Sequence, residues 1–161
     1  MAISTTTTTP ATPVTTIKVQ IRKDQHGQWT IDAEDHDENK KRFQKVEVDF
    51  KRKRQERHQK KDPDHTPIVF NEGDTLTFTC TDDSLEFAIG AKKDDVVDAI
   101  PGTPDNPFGW NDLRTAKAGG SVSGDVMKSS GVKEQAFYKF HGWVMKNGRR
   151  QDVDPDGYCG S

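Results

Sequence analysis

The sequence predicts an all-β protein, folded as an antiparallel β-sandwich, and three observations support this class. Apolar and polar residues alternate over several short segments, which is the two-residue period of half-buried strands. Turn-forming residues separate these segments at the spacing typical of sandwiches and barrels. Only 30% of the 161 residues are hydrophobic and 31% are charged, so we expect a thin core with long polar loops and tails.

The chain is predicted to consist of a tail and one domain. Residues 1–15 are rich in threonine and proline and offer almost nothing to bury, so we interpret them as a flexible, disordered tail. Residues 16–161 are predicted to form a single β-sandwich domain, since a chain of this length suits one core.

The first two strands are predicted to form a hairpin. Apolar side chains alternate with polar ones over residues 17–21 and again over residues 29–33. Between them lies a turn over residues 24–27, in which Gly27 is able to adopt positive φ. Residues 34–42 are mostly charged and are predicted to be a loop.

A third strand is predicted over residues 46–50, where apolar residues alternate with carboxylates. The basic run at residues 51–61 follows, and its pattern leaves three alternatives open: an extension of that strand, a short exposed helix or a loop. Pro63 and Pro67 exclude regular structure across residues 62–67, because each proline lacks a donor and restricts the residue before it.

The clearest strand pattern covers residues 68–89. An apolar start leads into a turn over residues 71–74, and two alternating strands follow over residues 76–80 and 85–89. Each of these two strands places three apolar residues on one face, which is what the wall of a sandwich needs.

A long irregular loop is predicted over residues 90–120, which are rich in proline and glycine. We expect Phe108 and Trp110 to anchor this loop to the sheet. A connection of this length is uncommon unless it covers an opening in the core or serves a function.

Three further strands are predicted after this loop: a short one over residues 121–127, a long one over residues 135–146 and the last over residues 149–153. Asn147-Gly148 separates the last two. This dipeptide is the best suited to a type I′ hairpin turn, because both positions need positive φ. The expected total is about eight strands.

The Gly73-Asp74 turn and the threonine-rich strand after it resemble the early core of cupredoxin-like domains. In that family a strand, a Gly-Asp turn and a Thr-rich strand lead to a ligand-bearing loop. The final aromatic hairpin is also similar to the closing hairpin of such sandwiches, and the resemblance covers about half of the chain. The same turn and strand resemble immunoglobulin-like domains, so the resemblance implies a cupredoxin-like or an immunoglobulin-like sandwich.

The copper ligands of that family are not matched in this sequence. Blue-copper members take Cys, His and usually Met from the closing loop, with another His from upstream. In this chain Cys159 is followed only by Gly160 and Ser161, while His141 and Met145 lie in a predicted strand without a cysteine beside them. The resemblance therefore implies a copper-free relative, and a fold alone does not supply a function.

The sharpest local motif lies near the C-terminus, where Asp152, Asp154 and Asp156 alternate before Gly157. This spacing matches the opening of a calcium loop, in which alternate carboxylates converge on a hard cation. Such a loop also needs an acidic residue six positions after the glycine, whereas the sequence ends at Ser161. The motif favours a polar turn, with a metal site formed by the three aspartates as the alternative.

Composition argues against two classes of partner. The formal net charge is −2, and the basic run at residues 51–61 contains no aromatic residue that could stack on bases, so we do not expect nucleic-acid binding. No apolar run approaches the ~20 residues that cross a bilayer, and no secretory signal is apparent. We therefore expect no membrane partner and, by default, a cytoplasmic protein. Cys80 and Cys159 permit one disulfide without requiring it.

No complete catalytic signature or cofactor motif is present, so the leading hypothesis is a non-enzymatic binding, accessory or structural interaction module. We expect the long loop and the loops at one end of the sandwich to contact a protein partner. Self-association is a variant, in which the Thr-rich tail docks on the sheet edge of a second copy of the chain. One alternative is a calcium- or other metal-binding protein that uses the C-terminal aspartates. Another is an enzyme of unrecognised type with its site under the loop at residues 90–120.

Overall fold

The computed structural model describes residues 15–45, 68–93, 106–127, 137–153 and 158–160. The predicted tail up to residue 14, the predicted third strand, the basic run and part of the long loop lie outside the described residues. The described residues form, in chain order, β1 (Thr16–Lys23), β2 (Trp29–Ala33), α1 (His36–Gln44), β3 (Ile68–Val69), β4 (Thr75–Cys80), β5 (Glu86–Lys93), β6 (Arg114–Ala116), β7 (Ser121–Asp125), β8 (Phe137–Lys146), β9 (Arg149–Val153) and β10 (Tyr158–Gly160).

These strands form two sheets, which confirms the predicted all-β class and fits a sandwich. The first sheet has the order β2-β1-β4-β7, and the second has the order β3-β10-β8-β5-β6 with β9 also paired to β8. Most neighbours are antiparallel, but β1–β4 and β3–β10 are parallel pairs. The predicted antiparallel pairing holds for most neighbours, and the two parallel pairs join strands far apart in the chain, which local sequence patterns do not specify.

One hydrophobic core joins the two sheets. Phe78 of β4 and Phe140 of β8 are completely buried, and their rings meet edge to face with centroids 5.5 Å apart. Their alternation with more exposed neighbours follows from the two-residue period of each strand, which turns every second side chain towards the facing sheet.

Both hairpins predicted from turn chemistry are confirmed. β1 and β2 pair antiparallel, and Gly27 in the turn between them has a φ of 78°. β8 and β9 pair antiparallel, and both Asn147 and Gly148 have positive φ, at 52° and 78°. The type I′ requirement explains why this dipeptide stands at that position.

The loop predicted over residues 34–42 was wrong, because the segment forms helix α1. Asp35 caps the helix: its carboxylate accepts a hydrogen bond from the Glu38 amide at 3.0 Å. The helix is attached to the second sheet through the buried Asn39, whose side-chain oxygen accepts a hydrogen bond from the Val69 amide at 2.9 Å. An apolar stripe, the usual sequence signal of a packed helix, is missing from this segment.

One strand is longer than predicted, and two further strands were not predicted. β5 continues to Lys93, and β6 lies inside the region predicted to be an irregular loop. β10 follows the strand predicted to be the last, and it pairs with residues 137–139 at the start of β8, whereas β9 pairs with residues 142–146 at its end. Because β8 is ten residues long, one five-residue partner cannot satisfy its whole edge.

The two ends of the sandwich differ in construction. We call one the turn end, because it carries the turns at residues 24–28, 81–85, 117–120 and 147–148. We call the other the helix end, because β1 begins there, β2 ends there and α1 follows directly. The directions in which the strands run in the two sheets determine which turns lie at the same end.

Candidate functional site

The described part of the long loop is fixed to the sheet by one asparagine. The side chain of Asn106 donates to the Ala91 carbonyl at 2.9 Å and accepts from the amides of Phe108 and Trp110 at 2.8 and 3.2 Å. Phe108 is buried in the core cluster and Trp110 packs against it, with the two ring centroids 4.5 Å apart. The predicted anchoring of the loop by these two aromatic residues is confirmed.

A shallow pocket of about 420 Å³ lies beneath this part of the loop. Its polar lining includes Lys92, Asp112 and the half-buried His141. Leu113 and His141 both lie close over Gly90, where an added Cβ would be 2.5 Å from a Leu113 methyl group and 3.2 Å from His141 Nε2. This is the region in which the enzyme hypothesis places its site, and that hypothesis stays a prediction.

A second pocket, of about 550 Å³, opens at the turn end. Its apolar floor is made by the largely buried side chains of Trp29, Leu85 and Val144, with the half-buried Met145 beside them. The remaining lining residues are polar or charged: Lys23, Asp82, Lys146, Asn147, Arg149 and Gln151.

Trp29 holds the two sheets together at this pocket. Its Nε1–H donates to the Gln151 side-chain oxygen at 2.8 Å, which joins β2 of the first sheet to β9 of the second. The Lys23 ammonium lies 5.5 Å from the Trp29 ring centroid, within the range of a cation–π contact. The buried indole is therefore both packed and hydrogen-bonded, as expected of a rigid wall.

Asp82 is occupied by its own turn. One of its carboxylate oxygens accepts hydrogen bonds from the Ser84 amide at 3.0 Å and the Ser84 hydroxyl at 2.6 Å. These bonds, helped by the nearby charges of Lys146 and Lys23, lower the pKa of Asp82. Lys146 also donates to the Ser84 hydroxyl at 3.3 Å. The turn thus holds an ionised carboxylate against the rim of the pocket.

The charge of the turn-end pocket is opposite to that of the chain. Lys23, Lys146 and Arg149 line it with three positive charges, and Asp82 contributes one negative charge. The whole chain has a formal net charge of −2. The three basic side chains are exposed, so they are available to a partner in solution.

A third pocket, of about 660 Å³, lies at the helix end, and the net charge of its lining is negative. Asp35, which lines it, is already used as the cap of α1. His36 also lines the pocket. The charged lining consists of four carboxylates and two cations: Glu34, Asp35, Asp37, Glu38, Lys18 and Arg42.

The C-terminal aspartates are only partly described. Asp152 lies exposed on β9, directly opposite Trp143 of β8, whereas Asp154 and Asp156 lie outside the described residues. Within the part of the chain that the structure describes, no group of three His, Cys, Asp or Glu side chains is placed to hold a metal ion. The metal site formed by the three aspartates stays a prediction.

Cys80 is a free, half-buried thiol at the end of β4. Burial raises its pKa, with the Asp82 charge adding to the increase and a backbone hydrogen bond opposing it. The thiol form is therefore favoured over the reactive thiolate at neutral pH.

Sequence reasoning placed recognition on loops at one end of the sandwich but did not name the residues of the turn-end pocket. The signal was present, because Lys23, Lys146 and Arg149 each stand beside a predicted turn. What local patterns could not indicate is that these turns would meet around Trp29.

Comparison with known proteins adds no identification. The chain matches no family model, and neither the curated proteins nor the solved structures include a significant match. The cupredoxin-like resemblance therefore stays a prediction. Within the described ranges, no helix combines the length and the apolar character needed to span a membrane.

Proposed function

We propose that this protein is a non-enzymatic binding module that contacts a protein partner through its turn end. The observation that carries this proposal is the pocket at that end, where exposed basic side chains surround an apolar floor. Four turns lie at the same end, and surface turns held by a rigid scaffold are a common place for recognition.

The composition of the pocket supports the turn end over the helix end. Protein interfaces are enriched in aromatic residues, methionine and arginine and depleted in lysine and acidic residues. Met145 and Arg149 belong to the enriched types at the turn end, where two lysines and one carboxylate belong to the depleted types. The pocket at the helix end is lined mostly by charged side chains, four of them carboxylates, which would be costly to desolvate in an interface.

The rigidity of the turn end also supports a binding role. The hydrogen bond between Trp29 and Gln151 fixes one wall, and the tight turn at Asn147-Gly148 fixes the basic rim beside it. A surface that is already ordered loses less conformational entropy when a partner binds.

Affinity capture with matched variants tests this function. The wild-type chain, a turn-end variant (Met145→Ala with Arg149→Ala) and a helix-end control (Lys18→Ala with Lys40→Ala) would each be used as bait in extract from the source cells. We expect one partner, identified by mass spectrometry and confirmed with purified proteins, to bind wild type and control. Its affinity for the turn-end variant should fall about tenfold, because interface arginines often carry much of the binding energy.

Two results would contradict the proposal. One is equal capture of the same partner by both variants, which would place the contact elsewhere. The other is the absence of any captured partner together with light scattering that shows a lone monomer at all concentrations. Light scattering that shows concentration-dependent assembly, lost in the turn-end variant alone, would identify the partner as a second copy.

A further inference from the structure

We infer that the turn-end pocket binds an acidic peptide segment of the partner, in which carboxylates flank an apolar side chain. This inference rests on the proposed function and adds the chemistry of the partner. Its two requirements, negative charge and an apolar anchor, come from different parts of the pocket.

The requirement for negative charge comes from the rim. Lys23, Lys146 and Arg149 outnumber the one carboxylate, Asp82, in the lining, and that carboxylate already accepts two hydrogen bonds from Ser84. Charges closer together than the screening length of about 8 Å at physiological salt act together on a bound ion. Asp24 and Asp83 stand in turns at the same end but do not line the pocket, and Asp24 accepts hydrogen bonds from the His26 and Gln28 amides of its own turn.

The requirement for an apolar anchor comes from the floor. Trp29, Leu85 and Val144 are buried beneath the pocket, so the half-buried Met145 is the apolar lining residue with the most exposed surface. A small inorganic anion would contact the rim and leave Met145 in water. Side chains two positions apart in an extended peptide point to the same side, so an aliphatic side chain would cover Met145 while carboxylates two positions before and after it reach the basic rim.

A nucleic acid is also anionic, but the pocket favours a peptide. Binding of single-stranded nucleic acid commonly uses aromatic faces on which bases stack. Trp29 is only 7% exposed, and Lys23 lies over its ring. The indole therefore offers no open face to a base.

Fluorescence anisotropy with labelled peptides tests the inference on the full chain. The probe is a short peptide, Glu-Gly-Leu-Gly-Glu, whose carboxylates and leucine share one side when it is extended, and the control probe has lysine in place of glutamate. We expect the acidic probe to bind and the basic probe not to bind. Raising the salt concentration should weaken binding, because the exposed charges of the rim are screened.

Charge-reversal variants locate the site. Lys146→Glu with Arg149→Glu should weaken binding of the acidic probe by about tenfold or more, since two favourable charge contacts become repulsive. The matched reversal at the helix end, Lys18→Glu with Lys40→Glu, changes the net charge equally and should leave affinity within about twofold. Circular dichroism of each variant checks that it is folded.

Several outcomes would overturn the inference. They are equal loss in both reversal variants, equal binding of the basic probe, no binding of the acidic probe, or stronger competition by single-stranded DNA than by unlabelled acidic peptide. If the acidic probe fails while a captured partner still depends on Met145 and Arg149, the chemistry is wrong and the binding function stands. If both experiments fail, the proposed function falls as well.

Discussion

The two ends of this sandwich use polar side chains in different ways. At the helix end, polar groups hold the backbone of the chain itself: Asp35 caps α1 and Asn39 accepts a hydrogen bond from β3. At the turn end, exposed basic side chains surround an apolar floor. If the proposed function holds, polar residues near a pocket serve stability at the helix end and recognition at the turn end, and substitutions should separate the two.

The largest expected effect is on the free energy of unfolding, and it comes from a substitution in the core that both ends share. Phe78→Ala should lower the free energy of unfolding by about 3–5 kcal/mol, because it removes a large side chain and leaves a cavity. Urea titration followed by far-ultraviolet dichroism and by tryptophan fluorescence measures the change. Thr77→Ala, on the other face of the same strand, is the matched control and should have a much smaller effect.

In the Phe78→Ala protein both signals should change at the same urea concentration, because one core joins the two sheets. Two separate transitions would contradict this, and would mean that the ends fold independently.

A smaller effect is expected from the helix end alone. Asn39→Ala should cost about 1–3 kcal/mol, because it leaves the buried Val69 amide without this acceptor. The exposed neighbour Lys40→Ala is the control. Folded Asn39→Ala protein should bind the acidic peptide as wild type does. Lost peptide affinity in protein that is still folded would show that the two ends are coupled, and would remove the separation proposed above.

The smallest effect is expected from the turn end, and it depends on pH. The pKa of Asp82 is lowered in the folded chain, so the folded state favours the ionised carboxylate. Its contribution to stability is present above the unfolded pKa of about 3.9 and is lost as pH falls through the lower folded value. The difference in thermal midpoint between wild type and Asp82→Asn should therefore shrink as pH falls below about 4.

The neighbouring Asp83→Asn is the control for loss of one charge in the same turn. If the thermal midpoint of wild type exceeds that of Asp82→Asn by the same amount down to the lowest pH, ionisation of Asp82 is not the source of the difference.

Local sequence patterns were sufficient for most of the described strands and for the two hairpin turns. The alternation over β1, β2 and β4 follows directly from one buried face, and Asn147-Gly148 specifies its turn through backbone conformation. These features depend on residues close in sequence, which is why they could be predicted without knowledge of the fold.

The remaining features depend on contacts between distant segments. α1 has no apolar stripe and is attached to the sheet by one buried asparagine, so hydrophobic periodicity could not find it. Its local signals were the Asp35 cap with Glu38 three positions later and the change from an acidic first turn to a basic last turn. The turn-end pocket was missed for the same reason, because Trp29 and Gln151 are far apart in the chain and meet only when the sheets pack.

The parallel pairing of β1 with β4 has a consequence for synthesis of the protein. Thr16 pairs with Thr75, so each residue of β1 leaves the ribosome about 60 residues before its partner in β4, which takes several seconds of translation. An isolated hairpin is only marginally stable in water, and its unpaired edge can associate with other nascent chains. The edge of β1 that pairs with β4 therefore stays open to such association until β4 has been synthesised.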